Sequence, residues 1–257
     1  MDNTAPIQLL VFDIDGVLSS GEAEAVDLSF LQHLASMNRS AREYPSCPGV
    51  TLCTGRPAPY VELMLQVIDG RMPAIFENGT GLYVPDGYRF LRHPGLETGH
   101  SLHVVKQRLQ SAMVDTGLAY FQPGKEFSLT LFANDPAETG NLLGQVDQAL
   151  GSLRELVDLV YSSSCLNVLP HGIHKGRGIQ FLADQTNISP AAMLGVGDSD
   201  IDLPFLSKVG YSAAPSNANP EVKSTVQYVS SKPTVDGVLD ILDHFKVKYC
   251  IRSMSDD

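Results

Sequence analysis

Five of the six residues from Ile7 to Phe12 are apolar, and the run ends in Asp13-Ile14-Asp15-Gly16. It is too short for a typical helix and reads as a strand buried on both faces of a sheet. Two carboxylates two residues apart would share one face of a regular strand, where their charges repel. A divalent cation is the simplest way to neutralise them. Gly16 lets the backbone turn sharply or approach a ligand. Three further pieces carry similar chemistry. Thr54-Gly55-Arg56 follows the apolar Val50-Thr51-Leu52-Cys53, Lys175-Gly176 opens a helical pattern, and Gly197-Asp198-Ser199-Asp200-Ile201-Asp202 follows Met193-Leu194-Gly195-Val196. Each has an ordinary reading by itself: an acidic turn, a helix cap for Thr54, a surface lysine, and helix-end charges for Asp198, Asp200 and Asp202. His171 and His174, spaced as i and i+3, read as loop histidines because no partner pattern makes them metal ligands.

The elements that position these pieces follow from periodicity. Val26, Phe30, Leu31 and Leu34 mark a helix, and 38–48 is polar with Pro45 and Pro48, hence a loop. Val61, Met64, Leu65 and Ile68 mark a second helix, and Ala74-Ile75-Phe76 a third strand. Strand and helix alternating through short links predict a parallel α/β sheet whose ligands bind beyond the carboxyl ends of its strands. Asp13 and Thr54 both stand there. From 82 to 170 the texture changes to a hairpin around Pro85-Asp86-Gly87, a helix over Leu102–Met113, an alternating half-solvated strand at 127–131, a helix through Leu142, Val146 and Leu150, and two short strands. That pattern predicts an α+β unit inserted into a doubly wound core made of 1–81 and 171–257. In the core's second half, helices are expected over 176–185, 203–206, 221–225 and 235–245, and strands at 193–196, 211–214 and 228–229. The last dozen residues are expected to fray.

Composition sets outer bounds. With 257 residues, 43% hydrophobic and 18% charged, the chain can build a sizeable core. No apolar stretch approaches the ~20 residues that span a bilayer. Met1 to Pro6 has no basic region and the apolar run after it is too short for a signal peptide, so the cytoplasm is expected. Cys47, Cys53, Cys165 and Cys250 are scattered, which disfavours zinc and a disulfide framework. A net charge of −11 without a Lys/Arg run disfavours nucleic acid.

The order and context of the four pieces resemble the haloacid dehalogenase-like (HAD) hydrolase superfamily. The insertion resembles the α/β cap of its Cof-type and sucrose-phosphate-phosphatase-like branch, as do Glu77-Asn78-Gly79-Thr80-Gly81 and Ser216-Asn217-Ala218-Asn219. Two departures are Ser216 where the branch usually has Gly, and Ile201 where it often has an Asn that orients metal ligands. The resemblance implies a Rossmann-like core with an inserted α+β cap. It also implies a Mg²⁺-dependent phosphatase that hydrolyses a small phosphomonoester, a sugar phosphate or a phosphoglycolate-like ester, through an aspartyl-phosphate. Asp13 would be nucleophile and Asp15 acid and base, with Thr54 and Lys175 holding the phosphoryl group. Asp13, the Asp15 carbonyl, Asp198 and Asp202 would hold Mg²⁺. Gly55, Arg56, Asn78 and Asn217 would join Thr54 and Lys175 around a small phosphorylated metabolite. In the cap, Lys125, Arg89 and Arg92 are candidate substrate cations, although a solvated surface charge is the commoner role. A monomer or homodimer is expected, with neither nucleic acid nor membrane as partner. A phosphotransferase or mutase of the same superfamily shares the first motif and is the alternative. A silent binding protein is disfavoured by the intact motifs, and a receiver domain by the ~90-residue insertion, since one domain of ~120 residues would suffice for it.

Overall fold

The computed structural model describes residues 6–96, 100–162 and 164–247. The expected fraying of the last dozen residues falls almost wholly outside them. The chain runs β1 (Leu9–Phe12), α1 (Leu28–Glu43), β2 (Gly49–Leu52), α2 (Ala58–Val67), β3 (Ala74–Phe76), then a hairpin of β4 (Gly81–Val84) and β5 (Arg89–Arg92). The inserted part follows as α3 (His100–Leu109), β6 (Ala119–Phe121), β7 (Leu129–Ala133), α4 (Leu142–Leu150), β8 (Val157–Tyr161) and β9 (Leu166–Pro170). The chain then continues through α5 (Lys175–Thr186), β10 (Met193–Val196), α6 (Leu203–Leu206), β11 (Tyr211–Ala214), α7 (Pro220–Thr225), β12 (Tyr228–Val229) and α8 (Thr234–His244).

The central sheet is parallel in the order β12-β11-β10-β1-β2. β1 sits beside β10 and β2, with Phe12 in register with Val196 on one side and Leu52 on the other. Every residue of β1 is buried, because apolar clusters cover both faces of the sheet. Leu10, Phe12, Val50 and Leu52 face α1, α2 and α8, whereas Leu9, Val11 and Met193 face α5 and α6. Each such side chain contributes about 1.5–3 kcal/mol by leaving water. The strand ends that carry Asp13, Thr54 and Asp198 are therefore held by the most buried part of the molecule.

Two local expectations need correction. α1 continues to Glu43 where a loop from 38 was expected. Its extra turns survive because buried Asn38 satisfies both ends of its amide, donating to the Ile68 carbonyl at 2.9 Å and accepting from Val50 N at 2.8 Å. β3 joins β4 and β5 in an antiparallel sheet and is linked to the parallel one by a Cys53–Ile75 bridge. The turn at Glu77–Gly79, with Asn78 at φ +58°, reverses the chain there. Leu82 and Val84 pack into the same apolar cluster as Ile75 and Ile179.

The inserted part is a four-stranded antiparallel sheet, β6-β7-β9-β8. Leu129 and Leu131 of β7 and Leu166 and Val168 of β9 point to the side covered by α3 and α4. By the twofold alternation of strands, Thr130 and Asn167 point to the other side, and the register places them opposite each other. The sequence pattern predicted a half-solvated strand here. Instead Ser128 and Thr130 are buried, because that second face lies against the core at Glu77 and Asn78.

Candidate active site

Asp13 follows the last residue of β1 and its N–H donates to the Val196 carbonyl at 3.0 Å. Asp198 stands two residues beyond β10, the neighbouring strand. Both acids thus emerge at the same carboxyl edge. Gly16 adopts φ +82°, and a Cβ there would lie 2.1 Å from Asp198 Oδ2, so only glycine lets the two loops meet. Asp202 closes the group. One of its carboxylate oxygens accepts the N–H groups of Asp198 and Ser199 and the Ser199 hydroxyl, each at 3.1 Å. The other accepts from the Lys175 ammonium. The capping reading of this acidic turn is therefore also true: Ser199 and Asp202 form a capping box.

Lys175 opens α5 and is 1% exposed, with its ammonium 3.0 Å from Asp13 Oδ1 as well as bonded to Asp202. Burial works against its charge, but Asp13 and Asp202 outweigh burial and raise its pKa. Burial, with Asp202 and Asp15 close by, holds the Asp13 carboxyl above the usual range in spite of Lys175. Burial first, then Asp202 and Asp13, pushes Asp198 up to about 8. Oxygens of Asp13, Asp198 and Asp202 lie within 4.8 Å of one another. Three carboxylates against one lysine leave an excess of buried negative charge, which a divalent cation would offset. The donor set is all oxygen and therefore hard, as Mg²⁺ requires. Asp200 is exposed, accepts from Asn219 Nδ2 at 3.1 Å, and is not in this group.

Thr54 lies beyond β2, is 1% exposed, and accepts from Arg56 N on its hydroxyl at 3.1 Å. It does not cap α2, whose N-cap is Pro57, so the capping reading is set aside. Arg56 forks onto Asp15, Nε to Oδ2 at 2.8 Å and Nη2 to Oδ1 at 2.6 Å, and also donates to the Glu22 carbonyl at 2.7 Å. The side chain expected to meet substrate is thus engaged with the candidate acid-base residue. Asn217 is likewise committed, donating to the Gly16 carbonyl and accepting from Thr234 N, both at 2.9 Å. It braces the loop after β1. His171 pairs with Asp158 at 3.0 Å and belongs to no metal-type cluster among the described residues.

Residues from the insertion meet the core beside these groups, and sequence patterns did not single out most of them. Glu77 Oε1 accepts Glu126 N at 3.0 Å, and its Oε2 accepts Phe127 N and the Ser128 hydroxyl, each at 2.9 Å. Asn78 bonds Thr54 O through its N–H at 3.0 Å and donates from Nδ2 to Asn167 Oδ1 at 3.4 Å. Of the cap cations named from sequence, Lys125 reaches this interface, donating to Thr130 and Asn167. Arg89 is an exposed residue on the β4–β5 hairpin, and Arg92 stacks its guanidinium 5.8 Å from the Phe127 ring.

The sequence model of the haloacid dehalogenase-like hydrolases matches residues 104–242, and the chain belongs to that family. A phosphoglycolate phosphatase of Methanothrix thermoacetophila is 34% identical over 97 residues, 38% of this chain and 44% of that protein. A phosphoglycolate phosphatase of Methanopyrus kandleri is 24% identical over 238 residues, 91% of this chain and 95% of that one. Among solved structures, a Thermoplasma acidophilum protein superimposes with TM-score 0.75 at 18% identity, covering 95% of this chain and all 100% of its own. A haloacid dehalogenase-like hydrolase from Bacteroides thetaiotaomicron gives 0.72 at 14% identity, covering 93% and 99%. The fold is accordingly a Rossmann-like parallel core with an inserted α+β cap, and the chain is an enzyme of the hydrolase class. No helix among the described residues is long and apolar enough to cross a membrane.

Proposed function

We propose that the chain is a Mg²⁺-dependent phosphatase for a small phosphomonoester, a sugar phosphate or a phosphoglycolate-like ester, working through an aspartyl-phosphate. One observation carries the reading: Asp13 stands between a fully buried lysine and two further carboxylates at the mouth of the central sheet. An Asp13 oxygen attacks phosphorus as the bond to the ester oxygen breaks, and the leaving alkoxide takes a proton from Asp15. A water molecule then attacks phosphorus, gives its proton to Asp15, and the bond to Asp13 breaks to release phosphate. The Arg56 fork holds the Asp15 carboxyl group in place beside this path. Thr54 donates to the phosphoryl oxygens, and Lys175 neutralises them together with Asp13. Asp13, Asp198, Asp202 and the Asp15 carbonyl would hold Mg²⁺, which when bound supplies positive charge to offset the meeting of an anionic nucleophile and an anionic ester. Asp202, through its bonds to Asp198 and Lys175, fixes both and covers for the orienting Asn that Ile201 replaces.

The cap excludes bulk water and contacts the leaving group. Its expected limits were 82 and 170. The hydrogen bonding of β4 and β5 to β3 supports a start after Arg92 instead, with the hairpin counted as core. The test is phosphate release from a panel of phosphomonoesters with Mg²⁺, with chelator, and with Mg²⁺ restored. Release that needs the metal and is lost in Asp13→Asn supports the proposal, and full activity in that variant sinks it.

A further inference from the structure

Lys125 is a cation drawn into the cap–core interface without an ion pair among the described residues. Its ammonium donates to the Thr130 hydroxyl and to Asn167 Oδ1 at 3.5 Å, and both residues are at most 5% exposed. Thr130 in turn donates to Asn167 Oδ1 at 2.9 Å, and Asn78 donates to the same oxygen at 3.4 Å. Among the described residues Lys125 forms no ion pair, and its third N–H has no partner. The groups around it do not repair this. Glu77, Cys165 and Glu22 favour its charge and Arg56 opposes it, but burial outweighs them all and pushes the ammonium down to about 8. Glu77 is occupied by three hydrogen bonds from the 126–128 segment, and Glu22 by Ser164.

Position gives this cation a meaning. Through Asn167 and Asn78, Lys125 is three hydrogen bonds from the Thr54-Gly55 loop, where a Cβ on Gly55 would lie 3.0 Å from Asn78 Oδ1. The segment bearing it is fixed to the core by Glu77, so it is held at a set place over the site. A desolvated charge without a partner is costly and is kept where a ligand supplies the opposite charge. We propose that Lys125 is the specificity residue of the cap and reads a carboxylate on the leaving alcohol, so that the preferred substrate is the phosphate ester of a small hydroxy acid and not of an uncharged sugar or polyol. This rests on the phosphatase reading above. It goes further by choosing between the two substrate classes that reading leaves open.

Two esters of one size separate the classes: 2-phosphoglycolate, with a carboxylate, and 2-hydroxyethyl phosphate, with a neutral hydroxymethyl in its place. The wild-type ratio of kcat/KM, carboxylate ester over neutral ester, should exceed about tenfold, the worth of one charge-assisted hydrogen bond. In Lys125→Met that ratio should collapse at least about tenfold, and Lys125→Arg should recover part of it. Glycolate binding to the Mg²⁺-loaded enzyme, followed by calorimetry, gives a readout without turnover and should weaken in parallel. A wild-type ratio near one, or equal loss on both esters in Lys125→Met, overturns the proposal, as does glycolate binding that the variant leaves unchanged. Failure to release phosphate from either ester, with glycolate still bound through Lys125, overturns the phosphatase reading instead and leaves the carboxylate site supported. If Lys125→Met does not fold, Lys125→Gln carries the same comparison.

Discussion

Two lysines in this protein lose their water and meet opposite fates. Lys175, on the floor of the site, is clamped by Asp13 and Asp202, and its proton is held more tightly than in water. Lys125, in the roof, has only neutral acceptors, and its proton is held less tightly, at about 8. The floor is therefore complete in charge around the lysine and in excess of negative charge around the acids. The roof lysine has no ion-pair partner among the described residues. A charged site that is self-neutralised is built to stay as it is, and one left unbalanced is built to receive something.

Substitutions can break this contrast. Asp13→Asn should cost more than about 10³-fold in turnover, since the proposed nucleophile is gone. Measured phosphate release under Mg²⁺ saturation checks this. Lys175→Met strands buried carboxylates and should destabilise the apo protein by about 3–5 kcal/mol in denaturant unfolding. The same change at Lys125 should be neutral or stabilising when no ligand is present, because it removes a buried charge that had no partner. Comparable losses at both positions would mean that the roof lysine is as structural as the floor one.

The pH dependence sharpens the floor half. A buried carboxyl raised to about 8 binds its proton in the folded state at pH values where the unfolded chain has released it. Stability of the metal-free protein should therefore fall as pH rises from about 4 to about 8, the reverse of an ordinary ion-paired acid. Mg²⁺ should remove the fall, and its apparent affinity should weaken as pH drops below 8 because its ligands must be deprotonated. Melting scans with and without the ion test both statements. A modest effect is expected at Thr130→Val, which deletes one acceptor of Lys125 and should cost about 1 kcal/mol.

The same contrast explains what could be read from the sequence. Asp13, Thr54, Lys175 and Asp198 each sit next to an apolar strand or open a helix, so local pattern locates them and a shared sheet edge brings them together. The doubly wound order and the hairpin follow from periodicity for the same reason. Residues whose burial is set by a distant partner do not show themselves this way. Asn38 looks like a loop residue until Ile68 and Val50 satisfy it, and Thr130 looks solvated until the cap face meets Asn78. Lys125 resembles a surface lysine, and Glu77 gave no sign that it would anchor the 126–128 segment. Arg56 was recognised, but its partner Asp15 was not foreseen, because their pairing joins two loops rather than two positions of one element.

The claim on which all of this depends is the covalent one. Wild-type enzyme mixed with radiolabelled phosphomonoester and Mg²⁺, quenched in acid within a turnover and digested, should carry a hydroxylamine-labile phosphoryl group on the peptide containing Asp13. Turnover without any label on that peptide would contradict the account.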